Sequence, residues 1–315
     1  MAVTQTIARE IGVHQRGGQP RKKQEWRRLV PIYLMILPGM ALFLIWTLYP
    51  LGDAFVMSFF AWNPNPIADS PFLGLENYRR AFADPIMWQA FGNVIYYAAV
   101  TVVCQMALGL LVALMLNRTF PGRNVFRALY YIPVVTSWVV VSYVYAYLFS
   151  PLGPIDWVLG DVLHLIPDNQ SWLGSPTLAL PTLMILGIWK GIGWNMVMYL
   201  AGLQGIPIEL YEAARVDGAN RWNTFRLITL PLLNPVTAFI AVILIMGAFG
   251  SFIQMFLLTN GGPLHATETL LTYAYNNAFA TFDFGYAAAL TYIFAAFTFV
   301  FALLQMRIIR KRHVS

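Results

Sequence analysis

Two groups of polar residues interrupt the apolar sequence of this 315-residue chain in patterns that suit recognition or binding. The first is Glu212-Ala213-Ala214, followed after three residues by Gly218 and after nine more by Ile228-Thr229-Leu230-Pro231. A carboxylate beside two small residues on a short helix offers a partner both an acceptor and a close approach. Asp217 precedes the glycine, which can enter a left-handed turn at little steric cost and end the helix. The chemistry is recognition of another protein's surface. The same stretch, with Leu210, Ala213, Ala214 and Val216 among charged neighbours, also suits an amphipathic helix lying at a membrane surface.

The second group is the run GIWKGIGWNMVMY, which places Trp189, Lys190, Trp194, Asn195 and Tyr199 on one helix. Sugars present hydroxyls that need hydrogen-bonding groups and apolar C–H faces that stack on aromatic rings, and this run supplies both. Lys190 is the charged residue lying well inside an apolar segment. A charge there is costly and usually faces a bundle interior or a water-filled cavity. Two structural readings stand beside that one: Lys190 pairs with helix carbonyls or snorkels, and the tryptophans form an interfacial belt.

Nothing in the chain suggests catalysis. It has no P-loop and no GxSxG, and its four histidines (His14, His164, His265, His313) are scattered without metal-like spacing. Cys104 is the single cysteine, so neither an intrachain disulfide nor a cysteine-based metal site is available. No cofactor is expected on this chain.

These residues need elements to hold them, and composition says which kind. The chain is 58% hydrophobic and only 11% charged, against about a quarter charged in soluble domains. A span takes about 20 mostly apolar residues to cross roughly 30 Å of hydrocarbon. Six runs qualify: 29–50, 90–116, 126–149, 177–203, 230–258 and 285–306. Lipid cannot satisfy a bare backbone, so each must be helical or shielded where Pro or Gly interrupts it. The expected fold is all-α: a polytopic membrane protein of six transmembrane helices, with one permease domain (29–310) between a basic tail (1–28) and a short tail (311–315). The first run reads as an anchor rather than a removed signal peptide.

Seventeen of the twenty Lys and Arg residues fall on one side. They lie in the N-terminal tail (Arg9 to Arg28), the second loop (Arg118, Arg123, Arg127), the fourth loop (Arg215, Arg221, Arg226) and the C-terminus (Arg307, Arg310, Lys311, Arg312). The opposite loops carry Arg79 and Arg80 beside Asp69, Glu76, Asp84, Asp156, Asp161, Asp168, Glu268 and Asp283. The bias predicts both termini in the cytoplasm and Glu212 on a cytoplasmic loop. It also accounts for the net charge of +6 through topology and anionic lipid, with no need of nucleic acid.

The spacing E-A-A-x3-G-x9-I-x-L-P resembles the EAA loop of permease subunits in bacterial and archaeal ABC importers, matched at every position, which implies the inner membrane of such a cell. In that family the loop is a coupling helix seated in a cleft of a cytoplasmic ATPase. SFFAWNP, FLGLENYRRAF, NRTFPGRNVFRALYYIPVV and LLTNGGP narrow the resemblance to carbohydrate-uptake permeases of the larger, maltose-type subunit, over residues 30 to 310. The chain departs from that subunit in lacking extra N-terminal helices and a large periplasmic insertion.

The resemblance implies alternating-access import of a di- or oligosaccharide. It implies a second permease, two ATPase subunits that bind ATP and magnesium, and an external sugar-binding protein facing the loop at 259–279. It puts Val134, Trp138, Gly187, Lys190, Gly191, Trp194, Leu244, Ala248 and Ser251 on a cavity wall, with Trp138, Lys190, Trp194 and Ser251 as solute contacts. Phe249, Phe252 and Gln254 suit the same path, although a Phe at helical spacing is more often packing. Val134, Leu244 and Ala248 carry no hydrogen-bonding side chain, which puts maltose itself in doubt. Small residues at Gly109, Ala113, Ala287, Ala288 and Ala289 suit either a face for the companion permease or packing inside the chain. Rival readings are a permease for glycerol phosphate or a polyamine, and an ion-coupled secondary transporter.

Overall fold

The computed structural model describes residues 22–65, 69–166 and 169–312. The basic residues Arg9, Arg16 and Arg21, two of the histidines (His14 and His313), Asp168 and the tail residues 313–315 lie outside them. The chain divides into two compact units, the first ending at Ala54 and the second beginning at Phe55.

Helix α1 (Lys22–Phe43) passes through a π-helical turn (Leu44–Leu48) into α2 (Tyr49–Met57), giving an apolar span over Pro31–Met57 with none of its residues buried. The short α3 (Glu76–Ala83) leads to α4 (Pro85–Leu116), the longest helix. Asp84 starts α4 by accepting from the Ile86 N–H, with Pro85 in the first turn, where a missing N–H costs nothing.

Next come α5 (Arg123–Val135) and α6 (Trp138–Leu148), then the short α7 (Pro154–Asp156) with a π-helical turn (Trp157–Val162). The span α8 (Ala179–Gln204) is followed by α9 (Ile208–Val216) and α10 (Arg221–Thr224). A π-helical turn (Phe225–Thr229) then opens the span α11 (Leu230–Phe249). The short α12 (Ile253–Leu258) and α13 (Leu270–Phe279) precede the last span, α14 (Phe284–Arg312).

Among the described residues five helices are long and apolar enough to cross a membrane, and α5 with α6, bent by 99° at their junction, makes a sixth when the pair is counted as one broken span. The run 126–149, read as one helix, is therefore broken: Thr136 and Ser137 turn extended, and Ser137 caps α6 by accepting from the Val139 N–H. The run 230–258 also stops early, at Phe249. Gly250 and Ser251 leave the helix, and α12 restarts at Ile253.

Lipid is as apolar as leucine, so small residues that let backbones approach must supply much of the packing between spans. Helix α4 lies along α8. A methyl at Gly109 would strike the Asn195 side chain, one at Gly187 the Tyr97 hydroxyl, and one at Gly191 the Gln105 amide. The matching order of these pairs makes α4 and α8 parallel.

One buried cluster (Val112, Met196, Tyr199, Leu233, Ile240) fills the end of the bundle next to α9, and another (Met87, Leu270, Tyr286, Leu290) fills the opposite end. Ala113, Ala287, Ala288 and Ala289 are buried within this chain, and Gly109 packs on Asn195. These five residues are used for packing inside the chain and offer no face to a companion subunit.

Candidate functional site

A cavity of about 360 Å³ opens among α4, the broken span α5–α6, α8 and the end of α11. It brings together Trp138, Lys190, Trp194 and Ser251, with Val134, Gly187, Gly191, Leu244, Ala248 and Gln254 also on its wall. Phe249 instead packs on Phe301, and Phe252 stacks on Phe256. Of the other polar and aromatic residues in the α8 run, Trp189 is exposed, lining a separate groove with Phe126, Tyr130 and Pro133. Tyr199 is buried in the cluster beside Met196, and Asn195 bonds the Gly191 carbonyl at 2.9 Å.

Lys190 does two things that the sequence held apart. Only 6% exposed, it lines the cavity, yet its ammonium donates to the carbonyls of Pro133 at 2.5 Å, Thr136 at 2.7 Å and Val134 at 3.4 Å. An ammonium has three N–H donors, so all three have backbone partners. These carbonyls end α5, where the break leaves them without helical donors and where the helix dipole favours a cation. The Trp138 ring sits over the same ammonium, 4.9 Å from its centroid.

Three polar cavity residues went unread in the sequence, Tyr97, Thr101 and Gln105, as did the apolar or small Ile243, Gly247, Gly250 and Ile253. The three polar residues recur at every fourth position of an apolar helix, which puts them on one face. That stripe of hydrogen-bonding side chains was the available signal. Gln105 donates to the Gly187 carbonyl at 3.1 Å, and Gln254 donates to the Tyr97 hydroxyl at 3.4 Å. The wall thus offers hydroxyls, amides and two indoles. Among the described residues lining it, Lys190 is the one that carries a charge.

Helix α9 follows α8 after a three-residue link and presents Glu212, Ala213 and Asp217 outward, with Ala214 buried and Val216 88% exposed. Its end is a Schellman turn: the Gly218 N–H donates to the Arg215 carbonyl at 3.2 Å and the Ala219 N–H to the Ala214 carbonyl at 2.9 Å. Gly218 has φ of +73°, and no atom crowds the place a side chain would take. Asn220 then caps α10 by accepting from the Asn223 N–H.

At the opposite end of the bundle, Asp84 accepts from the hydroxyls of Tyr273 at 2.5 Å and Tyr286 at 2.6 Å. Burial alone would raise its pKa, but these bonds and those from the Ile86 and Met87 N–H groups hold it below the usual value. Burial, then the bond to Asp84, pushes Tyr273 up to about 12. Beside them the loop 259–269 folds over a buried Glu268, whose carboxylate meets His265 Nδ1 at 2.9 Å, and Asn93 donates to the carbonyls of His265 and Glu268.

A polar-lined cavity between membrane helices, joined through one of them to a capped helix at the bundle end, defines a membrane-transport subunit. Residues 105–314 match the family described as binding-protein-dependent transport system inner membrane component, and the chain belongs to it.

Among its relatives, the arabinooligosaccharides transport system permease protein AraP of Bacillus subtilis is 32% identical over 91% of this chain and 92% of that one. The diacetylchitobiose uptake system permease protein NgcF of Streptomyces coelicolor is 33% identical over 95% of this chain and 88% of that one. A bacterial ABC transporter that imports the acidic polysaccharide alginate contains a chain that superposes with a TM-score of 0.80 at 25% identity, covering 93% of this chain and 99% of that one.

Proposed function

We propose that this chain is a permease subunit of an ABC importer that takes up a di- or oligosaccharide by alternating access. It works beside a second permease, with two cytoplasmic ATPase subunits that bind ATP and magnesium, and receives solute from an external sugar-binding protein. Both termini lie in the cytoplasm, and residues 29–310 act as one permease domain. Glu212, Ala213, Asp217 and Gly218 form the surface that meets the ATPase, and Ala214, packed inward, seats the helix on this chain. Trp138, Lys190, Trp194 and Ser251 belong to the solute path, joined by Tyr97, Thr101, Gln105 and Gln254.

The observation that carries this reading is mechanical. Helix α9 hangs from the end of α8, which forms one wall of the cavity, and Tyr211 on α9 lies 3.2 Å from Thr229 at the foot of α11, which forms another. Movement of α9 therefore reaches two walls at once. Hydroxyl and amide side chains with two indoles suit a sugar's hydroxyls and its apolar faces. The permeases for arabinooligosaccharides and diacetylchitobiose named above point the same way.

Reconstitution in liposomes tests the whole reading. With companion permease, ATPase, binding protein and internal ATP, labelled oligosaccharide should accumulate; without the ATPase it should not. Accumulation by this chain alone under an ion gradient would overturn the importer and favour a secondary transporter.

A further inference from the structure

The third span is broken where a membrane helix can least afford it. A helix bent by 99° between Val135 and Trp138 leaves the last carbonyls of α5 without the helical donors that a continuous span would give them. The partner comes from a different span. Lys190 on α8 reaches the carbonyls of Pro133, Val134 and Thr136 together, and its aliphatic stem lies along the wall that Trp138 completes.

Neighbouring contacts are arranged to permit this approach. A methyl on Gly193, three residues along α8, would strike the Tyr130 carbonyl, and one on Gly191 the Gln105 amide. Helix α8 is therefore held at the distance from α5 and α4 that a lysine stem can span.

We infer that Lys190 is a positioning residue: its ammonium clamps the end of α5, fixes the bend of the third span and so sets Trp138 against the cavity, and it makes no direct bond to the solute. The three donors already have acceptors at the negative end of a helix, so the cavity presents no free cation. Solute recognition falls to the indoles and to the neutral stripe of Tyr97, Thr101 and Gln105. The effect on transport rests on the importer reading; the clamp itself does not.

Spin labels at Val125→Cys and Tyr147→Cys, both exposed positions on α5 and α6, read the bend by pulsed dipolar spectroscopy in nanodiscs, in a Cys104→Ala background. A straight helix would separate them by about 33 Å, and the bend makes the distance much shorter. In Lys190→Met the distribution should broaden towards the straight value, and in Lys190→Arg, which keeps a cation and N–H donors, it should stay short. If the Met variant does not accumulate, Lys190→Gln, with two donors and no charge, should give an intermediate spread. In the reconstituted importer, Lys190→Met should lower the maximal uptake rate at least tenfold with little change in KM. An unchanged distance in the Met and Gln variants would overturn the clamp. A wild-type distance with a change confined to KM would instead make Lys190 a solute contact.

Discussion

The hydroxyl of Tyr211 lies 3.2 Å from that of Thr229, joining the helix that carries Glu212 to the foot of α11. Thr229 is buried although it stands at the end of the bundle. Thr229 stands within Ile228-Thr229-Leu230-Pro231 and Tyr211 directly precedes Glu212, so a contact between residues eighteen positions apart brings the motif's two halves together. Nine residues between Gly218 and Ile228 are what the Schellman turn, the Asn220 cap and one π-helical turn require to bring the chain back under α9.

Gly218 sets the direction of that return. Its φ of +73° is reached at little cost without a Cβ, and no neighbour fills the space beside it, so a substitution is penalised by backbone strain alone. Gly218→Val should cost about 1 to 2 kcal/mol in the turn and misdirect α9. Gly218→Asn, which tolerates the left-handed region, should recover most of the loss. Uptake and ATPase binding should fall in the valine variant while membrane insertion stays normal. Full transport by Gly218→Val at normal expression would contradict this account of the turn.

Much of this architecture is legible in the sequence, for reasons that are local. Apolar runs announce spans because hydrocarbon thickness fixes their length, and Gly218 announces a turn because a single backbone angle demands it. The break at Thr136–Ser137 is not local. Pro133 hints at it, yet the bend persists because Lys190, more than fifty residues away, satisfies the freed carbonyls. The destination of the small residues was equally hidden: Gly109 and Ala113 read as an intersubunit face or as internal packing, and only the pairing of α4 with α8 decides it. Tyr97, Thr101 and Gln105 each look like an ordinary tolerated polar group in an apolar helix. Their four-residue period carries the information, and that period was there to be read.

Close packing against α5 makes a sharp stability contrast between two glycines. A methyl at Gly193 would meet the Tyr130 backbone carbonyl and the Val134 side chain, whereas Gly247 has open space around it. Backbone cannot swing aside, so Gly193→Ala should destabilise by about 1 to 3 kcal/mol through overpacking. Gly247→Ala should be neutral or stabilise by up to about 1 kcal/mol, since alanine is the better helix former. Thermal unfolding of the two purified variants in one detergent gives the comparison. Equal midpoints would mean that α5 and α8 are less tightly apposed than described.

Acid should weaken the end of the bundle built around Asp84. Burial works against its charge, but hydrogen bonds from Tyr273, Tyr286 and the start of α4 outweigh that and lower its pKa. A carboxylate whose folded pKa lies below its unfolded one contributes stability that is present above the unfolded value and is lost as pH falls through the folded value. Asp84→Asn should therefore lower the melting temperature at pH 7, with the gap to wild type closing below the ordinary carboxylate range. A gap that stays constant from pH 7 to pH 3 would show that the carboxylate charge is not what holds Tyr273 and Tyr286.

Charge reversal at Glu212 tests the surface proposed to meet the ATPase. Glu212 is exposed, makes no ion pair among the described residues, and sits one helical turn from the Schellman cap, so the chain's own fold gives little reason for a carboxylate there. Surface substitutions of this kind usually change stability by no more than about 0.5 kcal/mol. Glu212→Lys should accordingly insert and melt like wild type. If Glu212 accepts hydrogen bonds from the ATPase, the lysine both removes the acceptor and places a cation against the donors, and losing one partner of a buried charged pair costs about 2 to 5 kcal/mol or more. Co-purification of the ATPase should then fall at least about thirtyfold, and ATP-driven uptake should disappear. Glu212→Gln keeps an acceptor without the charge and should fall between the two. Should Glu212→Lys retain the ATPase and transport at the wild-type rate, the contact with the ATPase must be made elsewhere on this face, with the exposed Val216 and Asp217 the next positions to change.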